Sequence, residues 1–280
     1  MMKYYLETNS LRQLTSKLDN SFIIDNAFTS ILALIEIASG IKNEKTFKVR
    51  RTIIEKFLES KLIICLNMPE TLYLKAFGFQ HDDKEIVNGI GRVLKIIVKS
   101  NSYNDFQKTI KNSNYSEFYN LITNYDQNAS LIFKDLILNQ INSARKNIGF
   151  TRLIKMYNDR WSTYDEIKAQ VFYDNLIDYF SENLSNNELV NDGRTKEEIK
   201  KSYDHSIDTF IVMATVYSDQ HISFGHAAGS NDFFDLGHLI YLDNVTKKII
   251  TDDKLLHRLL VRSFSTMIMT TSDFKKENSI

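Results

Sequence analysis

The chain of 280 residues holds one cysteine, one proline and nine glycines. A lone thiol, Cys65, excludes a disulfide framework and any multi-cysteine zinc site, and it fits a reducing compartment. So few Pro and Gly residues exclude collagen-like and loop-rich folds. An excess of one charge is also missing: Lys plus Arg and Asp plus Glu are both 35, for a formal net charge of +0. That excludes a polycation that coats nucleic acid without specificity, and it leaves room for a local basic face. Long apolar runs are absent too. The longest, Phe210 to Tyr217, is far short of the roughly 20 residues that cross a bilayer. The opening MMKYYLETNS reaches acidic and polar residues before an apolar signal core can form. Neither a signal peptide nor a membrane partner is therefore expected, and the default is a soluble cytoplasmic protein. No Walker A loop or dinucleotide glycine fingerprint is present, since Gly89-Ile90-Gly91 is too short for either.

What remains is ordinary globular material, with hydrophobic residues at 43%, enough for a sizeable core in one large domain or two small ones. Lys3–Leu6 is short, aromatic and apolar and reads as a buried strand. Thr8, Asn9 and Ser10, all common N-cap residues, then open a helix carried by Leu11, Leu14 and Leu18. Phe28–Gly40 reads as a second helix with Gly40 as its stop, and Phe47–Leu58 as a third. Leu62–Leu66 is a second buried strand, ended by Asn67 and Pro69. From about Leu72 to Tyr217 the pattern is helical. Ser130–Ser143 has a helical period, and the boxes Thr163-x-x-Glu166 and Thr195-x-x-Glu198 open two more helices. The second of these runs through Ile199, Tyr203, Ile207, Phe210 and Ile211. Near the end, Phe233–Leu242 reads as a helix with an acidic first turn, Lys248–Thr251 as a strand, Leu255–Leu260 as a helix and Thr266–Met269 as a last strand. The expected fold class is α/β, a parallel sheet flanked by helices. Residues 1–70 and 218–280 build the sheet domain, and a large all-helical insertion fills 71–217.

Four acids sit where such a fold places ligands. Glu7 ends the first strand and Asp253 follows the Lys248–Thr251 strand, so the two converge if those strands are neighbours. Asp235 lies in a first helical turn. Glu36 stands on a helix whose other neighbours, Leu32, Ala33, Ile35, Ile37 and Ala38, are all apolar. A buried charge there must be paired or bind a metal, and a salt bridge to a Lys or Arg is the plainer use. Carboxylates gathered in one pocket need a cation to stay ionised. Hard oxygen donors of this kind suit Mg²⁺ or Mn²⁺, and such a site can activate water against a phosphodiester.

The blocks that carry these acids resemble those of PIN-domain nucleases. Tyr4-Tyr5-Leu6-Glu7-Thr8-Asn9-Ser10-Leu11 is similar to that family's opening strand and Asp-Thr-Asn. Thr29 through Gly40 resembles its second block, a helix carrying one acid. Asp235-Leu236-Gly237-His238 resembles the third block, and Lys247 through Asp253 the fourth, a strand followed by Thr-x-Asp. The resemblance implies a PIN-like parallel sheet with a metal-dependent ribonuclease site at Glu7, Glu36, Asp235 and Asp253, Mg²⁺ or Mn²⁺ as cofactor, and RNA as substrate. It departs from the family in two ways. Glu7 replaces an Asp, which displaces the carboxylate by one methylene, and a misplacement of about 1 Å costs roughly 10²-fold in rate. The helical insertion is foreign to minimal members.

Supporting roles fall to neighbours, each with a plainer alternative. Thr8 and Asn9 would orient Glu7 and a water on the metal, or simply cap the helix. Asp232 reads as a pure cap and Asp252 as a solvated or supporting acid. His238, three residues after Asp235, would orient an acid or bind phosphate, although an ordinary surface or core histidine is the favoured reading. Lys45, Lys48, Arg50 and Arg51 form a basic cluster for nucleic acid, or a solvated helix face. Arg145, Lys146, Arg152, Lys155 and Arg160, with Tyr157 and Trp161, form a second one, with Trp161 read as core. The main rival to a nuclease is a catalytically inactive PIN-like scaffold whose insertion binds a partner protein or nucleic acid. A phosphotransferase or phosphatase using the same acids is the third option. A homodimer is compatible with all three.

Overall fold

A computed structural model describes residues 3–125, 177–187, 190, 192–224, 229, 232–242, 247–263 and 265–280. Its centre is a five-stranded parallel sheet. The strands are β1 (Tyr4–Leu6), β2 (Ala27–Ser30), β3 (Ile63–Cys65), β4 (Lys248–Ile250) and β5 (Ile268–Met269), in the order β3-β2-β1-β4-β5. Each neighbouring pair is parallel. Successive strands step outward from β1 on one side through β2 and β3. The chain then returns to the other side for β4 and β5. That reversal places the switch point between the carboxyl ends of β1 and β4, where open α/β sheets bind ligands.

The expected strands are all found, slightly shorter than their apolar runs, but β3 is an edge strand with Ile63 exposed and not the buried strand expected there. The fifth strand, β2, lies inside the stretch that reads as helix from Phe28. Residues Ala27–Ser30 are all buried in the sheet, and the helix, α3 (Ile31–Ser39), begins only after them. No Gly or Pro separates the two elements, and only Thr29 and Ser30 stand between Phe28 and the apolar run of the helix. Ser30 is the hinge between them, since its Oγ accepts the Ala33 N–H at 3.3 Å as the N-cap of α3. Residues 31–35, 37 and 38 of α3 are buried on every side. Gly40 ends the helix as expected, but at φ −78°, so it is not there for a left-handed turn. It makes room for Arg50, whose guanidinium carbon would lie 2.0 Å from an added Cβ.

Helix α1 (Thr8–Gln13) ends sooner than the leucine spacing suggests, and a 3₁₀ turn over Thr15–Lys17 follows. Leu11, Leu14 and Leu18 are nevertheless buried. Helix α2 (Ser21–Asn26) feeds directly into β2, and α4 (Glu44–Glu59) begins with an Asn43–Thr46 capping box. Beyond β3 come α5 (Pro69–Ala76), α6 (Lys84–Lys99) and α7 (Tyr103–Lys111). Phe47 of α4 stacks on Phe106 of α7 at 5.9 Å between ring centres. Among the described residues between β3 and β4 no strand occurs.

Two expected helices are interrupted. The Thr195–Glu198 capping box forms, but its helix spans only Lys196–Lys201. His205 then takes a positive φ of 64°, the Asp204 N–H bonds to Ala76 O at 2.9 Å, and a new helix runs over Asp208–Phe224. The Phe233–Leu242 stretch is an α-helix over Asp232–Gly237 that tightens into a 3₁₀ turn at His238–Tyr241. Gly237 lets this segment approach α3 closely, since an added Cβ would sit 3.3 Å from Leu32. The Ser130–Ser143 helix, the Thr163–Glu166 box and the basic stretch from Arg145 to Trp161 lie outside the described residues. Among the described residues no helix is long and apolar enough to cross a membrane.

Candidate metal centre

The register of the central strands builds the site. Leu6 pairs with Ile250, and the Glu7 N–H extends the ladder to Ile250 O at 3.3 Å, so Glu7 and Thr251 leave the sheet side by side. The Thr251 hydroxyl donates to Glu7 Oε2 at 2.9 Å. Glu7 itself is the N-cap of α1, with Oε1 accepting the Asn9 N–H at 3.0 Å. The cap is therefore none of Thr8, Asn9 or Ser10. Asn9 supports Glu7 through its backbone, and the Thr8 hydroxyl turns away to donate to Glu36. Glu7 is 1% exposed.

Glu36 is the one residue of 31–38 in α3 that is not buried. Its side chain keeps 34% of its surface, so it remains reachable for a solute ion. The Lys or Arg partner that its apolar neighbours suggest is absent among the described residues. His238 takes that place, with Nε2 at 3.3 Å from Glu36 Oε2. His238 is 0% exposed, so it is a core histidine and not a surface one. Its Nδ1 lies 2.6 Å from the Tyr5 hydroxyl, which lies 2.7 Å from Ser30 Oγ. Glu7, Glu36 and His238 each bring one ligand atom to a point where all three atoms lie within 4.8 Å of one another.

Asp235 and Asp253 stand around this group without joining it so tightly. Both are partly buried. Asp253 Oδ1 accepts the N–H groups of Leu255 at 2.7 Å and Leu256 at 3.0 Å, capping the Lys254–Ser263 helix. Its own N–H donates to Thr251 Oγ1 at 3.0 Å, which links it to Glu7 through one hydroxyl. Asp235 receives no hydrogen bond among the described residues. Asp232 binds the Gly229 N–H at 2.7 Å and the Tyr217 hydroxyl, a structural role in keeping with a cap. Asp252 is exposed and holds Gln13 Nε2 at 2.6 Å and the Thr271 N–H at 3.2 Å, tying α1 to the C-terminal helix rather than facing the site.

The electrostatics follow the geometry. Burial pushes the Asp235 carboxyl up to about 9, and the negative charges of Asp253, Glu36, Glu7 and Asp232 push it further in the same direction. Burial also raises Glu7 and repulsion from Glu36 adds to it, against the opposing pull of His238, the Asn9 N–H and Thr251. At Glu36 burial is outweighed. The hydrogen bond and charge of His238, the Thr8 hydroxyl and the charge of Arg50 hold its carboxyl below the ordinary value. Asp235 thus feels the charges of Asp253, Glu36 and Glu7, and Glu7 that of Glu36.

The basic cluster divides in two. Arg50 donates from Nη1 to the carbonyls of Glu36 at 3.0 Å and Ile37 at 2.7 Å, and so caps the C-terminus of α3. Arg51 donates to Val98 O at 2.8 Å and does the same for α6. Lys45 and Lys48 stay exposed, and Lys48 is paired only loosely with Glu44 at 3.5 Å.

Among the described residues no Lys or Arg forms an ion pair with the side chain of Glu7 or Glu36, and carboxylate oxygens converge there with an imidazole nitrogen. That donor set could hold a metal ion. Tyr5, Ser30 and Thr251 lie inside the acid-bearing blocks of the sequence, Thr251 as the Thr of Thr-x-Asp, but none is singled out there as a site residue. No protein-family model matches this chain, and no curated protein or solved structure matches it.

Proposed function

We propose that this chain is a PIN-like, divalent-metal-dependent nuclease that hydrolyses phosphodiester bonds in RNA. The observation that carries the reading is convergence. Glu7 and Glu36, 29 positions apart by their numbers, meet at the switch point of a parallel sheet, and Asp235 and Asp253 lie close enough for their charges to act on each other. The order of the four acids and the elements that bear them resemble the PIN arrangement, and that resemblance supplies RNA as the substrate class. In this reading the helices between β3 and β4 are an insertion in a PIN-like sheet and offer a surface to nucleic acid or a partner protein.

The residues divide the work. Thr251 and the Asn9 N–H fix the Glu7 carboxylate, and Thr8 and His238 fix that of Glu36. Asp235, whose carboxyl is pushed up to about 9 by burial and then by the neighbouring acids, would give up its proton to hold a cation there. The cation supplies charge for the phosphate oxygens and lowers the pKa of water. Lys45 and Lys48 attract the backbone of the nucleic acid. Purified protein with Mn²⁺ is expected to cleave single-stranded RNA, and Glu36→Gln is expected to abolish cleavage. Cleavage that survives this substitution or a chelator would overturn the assignment.

One observation favours a second reading, a scaffold without activity. Both Glu7 oxygens and one Asp253 oxygen already accept hydrogen bonds from the protein. Calorimetric titration separates the two: no heat of Mn²⁺ binding at millimolar metal selects the scaffold.

A further inference from the structure

We propose that His238 is itself a metal ligand through Nε2, so that the centre is a Glu7–Glu36–His238 site that prefers Mn²⁺, Co²⁺ and similar transition ions to Mg²⁺. The inference rests on the reading that the site holds a divalent ion, and it adds which residues and which class of ion.

Three features of His238 support it. First, the ring is fully buried yet its Nε2 points into the group of carboxylates, 3.3 Å from Glu36 Oε2 and 3.4 Å from Thr8 Oγ1. Second, the other ring nitrogen has a fixed partner. Nδ1 lies 2.6 Å from Tyr5 Oη, and Tyr5 Oη lies 2.7 Å from Ser30 Oγ. A metal-binding imidazole is neutral and donates its remote N–H to an oriented acceptor, which fixes tautomer and ring plane. With Nδ1–H donating to Tyr5 Oη and the Tyr5 proton passed to Ser30 Oγ, the Nε2 lone pair faces Glu7 and Glu36. Third, the turn that carries the ring is clamped. His238 opens the 3₁₀ segment after Gly237, and the next rings, Tyr5 and Tyr241, stack at 5.5 Å.

The preference follows from the donors. Mg²⁺ demands oxygen ligands and keeps its waters, whereas imidazole suits the later first-row ions, whose affinity rises from Mn²⁺ through Co²⁺. Replacing one oxygen by nitrogen therefore penalises Mg²⁺ most.

The test is calorimetry with Mg²⁺, Mn²⁺ and Co²⁺ on the full chain, joined to pulsed electron paramagnetic resonance of the Mn²⁺-loaded protein. The expected result is Co²⁺ tighter than Mn²⁺, and Mn²⁺ at least about tenfold tighter than Mg²⁺, with a ¹⁴N modulation from coordinated imidazole. His238→Asn is expected to weaken Co²⁺ by about 10- to 100-fold and to remove the modulation. If that variant does not fold, the wild-type modulation decides alone. Metal binding without ¹⁴N modulation overturns the role of His238 and leaves the metal-site reading standing. Absence of binding by all three ions overturns both.

Discussion

The imidazole Nδ1 of His238 lies 2.6 Å from the phenol oxygen of Tyr5, across 233 positions of chain. Tyr5 stands in the middle of β1, under the site, and its hydroxyl also meets Ser30 at the junction of β2 and α3. One buried ring thus ties together three elements that each bring part of the candidate centre. Removing its hydroxyl keeps the packing of the ring and takes away only the polar link.

Tyr5→Phe is expected to fold and to lose about 1–3 kcal/mol of stability, because it leaves His238 Nδ1 and Ser30 Oγ short of a partner in the interior. Metal affinity is expected to fall by about 10- to 100-fold. Ser30→Ala should cost about 1 kcal/mol through the lost cap of α3. In the double variant the two losses should be less than additive, since both break the same link. Chemical denaturation and calorimetry measure each. Unchanged metal affinity in Tyr5→Phe would contradict the link.

Asp235 sets a dependence of stability on pH. Its folded carboxyl titrates at about 9, against an ordinary 3.8. Between those values the folded state keeps a proton that the unfolded state has lost, so stability falls as pH rises through this window. Glu7 is shifted in the same direction and adds to the loss above its ordinary value, whereas the lowered Glu36 acts only below its ordinary value, outside this window. Metal-free protein is expected to lose on the order of a few kcal/mol from pH 5 to pH 8. Asp235→Asn should flatten that loss, and saturating Mn²⁺ should flatten it in the unsubstituted chain. Denaturation curves at several pH values check it. A slope that is the same in the variant would show that Asp235 is not the group responsible.

The basic cluster is expected to split by substitution. Arg50→Ala frees two carbonyls at the end of α3 and should lower stability by about 1–3 kcal/mol. Lys45→Ala with Lys48→Ala should leave the melting temperature almost unchanged, since an exposed pair such as Lys48–Glu44 contributes little. The double lysine variant should instead weaken RNA binding and reduce its salt dependence by about one to two charges. Melting curves and filter binding at several salt concentrations separate the two effects.

Much of the frame was legible because short apolar runs with capped ends are strong local signals. The runs at Tyr4–Leu6 and Lys248–Ile250 read as buried strands, and their parallel pairing then brings Glu7 and Thr251 together. Strand β2 was illegible, because Ala27–Ser30 passes into α3 with no breaker between them. The acids could be named from position alone. Their partners could not, since a hydrogen bond between Tyr5 and His238 depends on how distant segments pack. Arg50 misled for a related reason: its charge reads as a surface for phosphate, whereas its guanidinium fills the space left by Gly40 and caps a helix.

Anomalous diffraction from crystals grown with Mn²⁺ tests the central claim most directly. The account predicts a peak within bonding distance of Glu7, Glu36 and His238, lost in Glu36→Gln. Crystals with saturating Mn²⁺ and no peak at the carboxyl ends of β1 and β4 would contradict it.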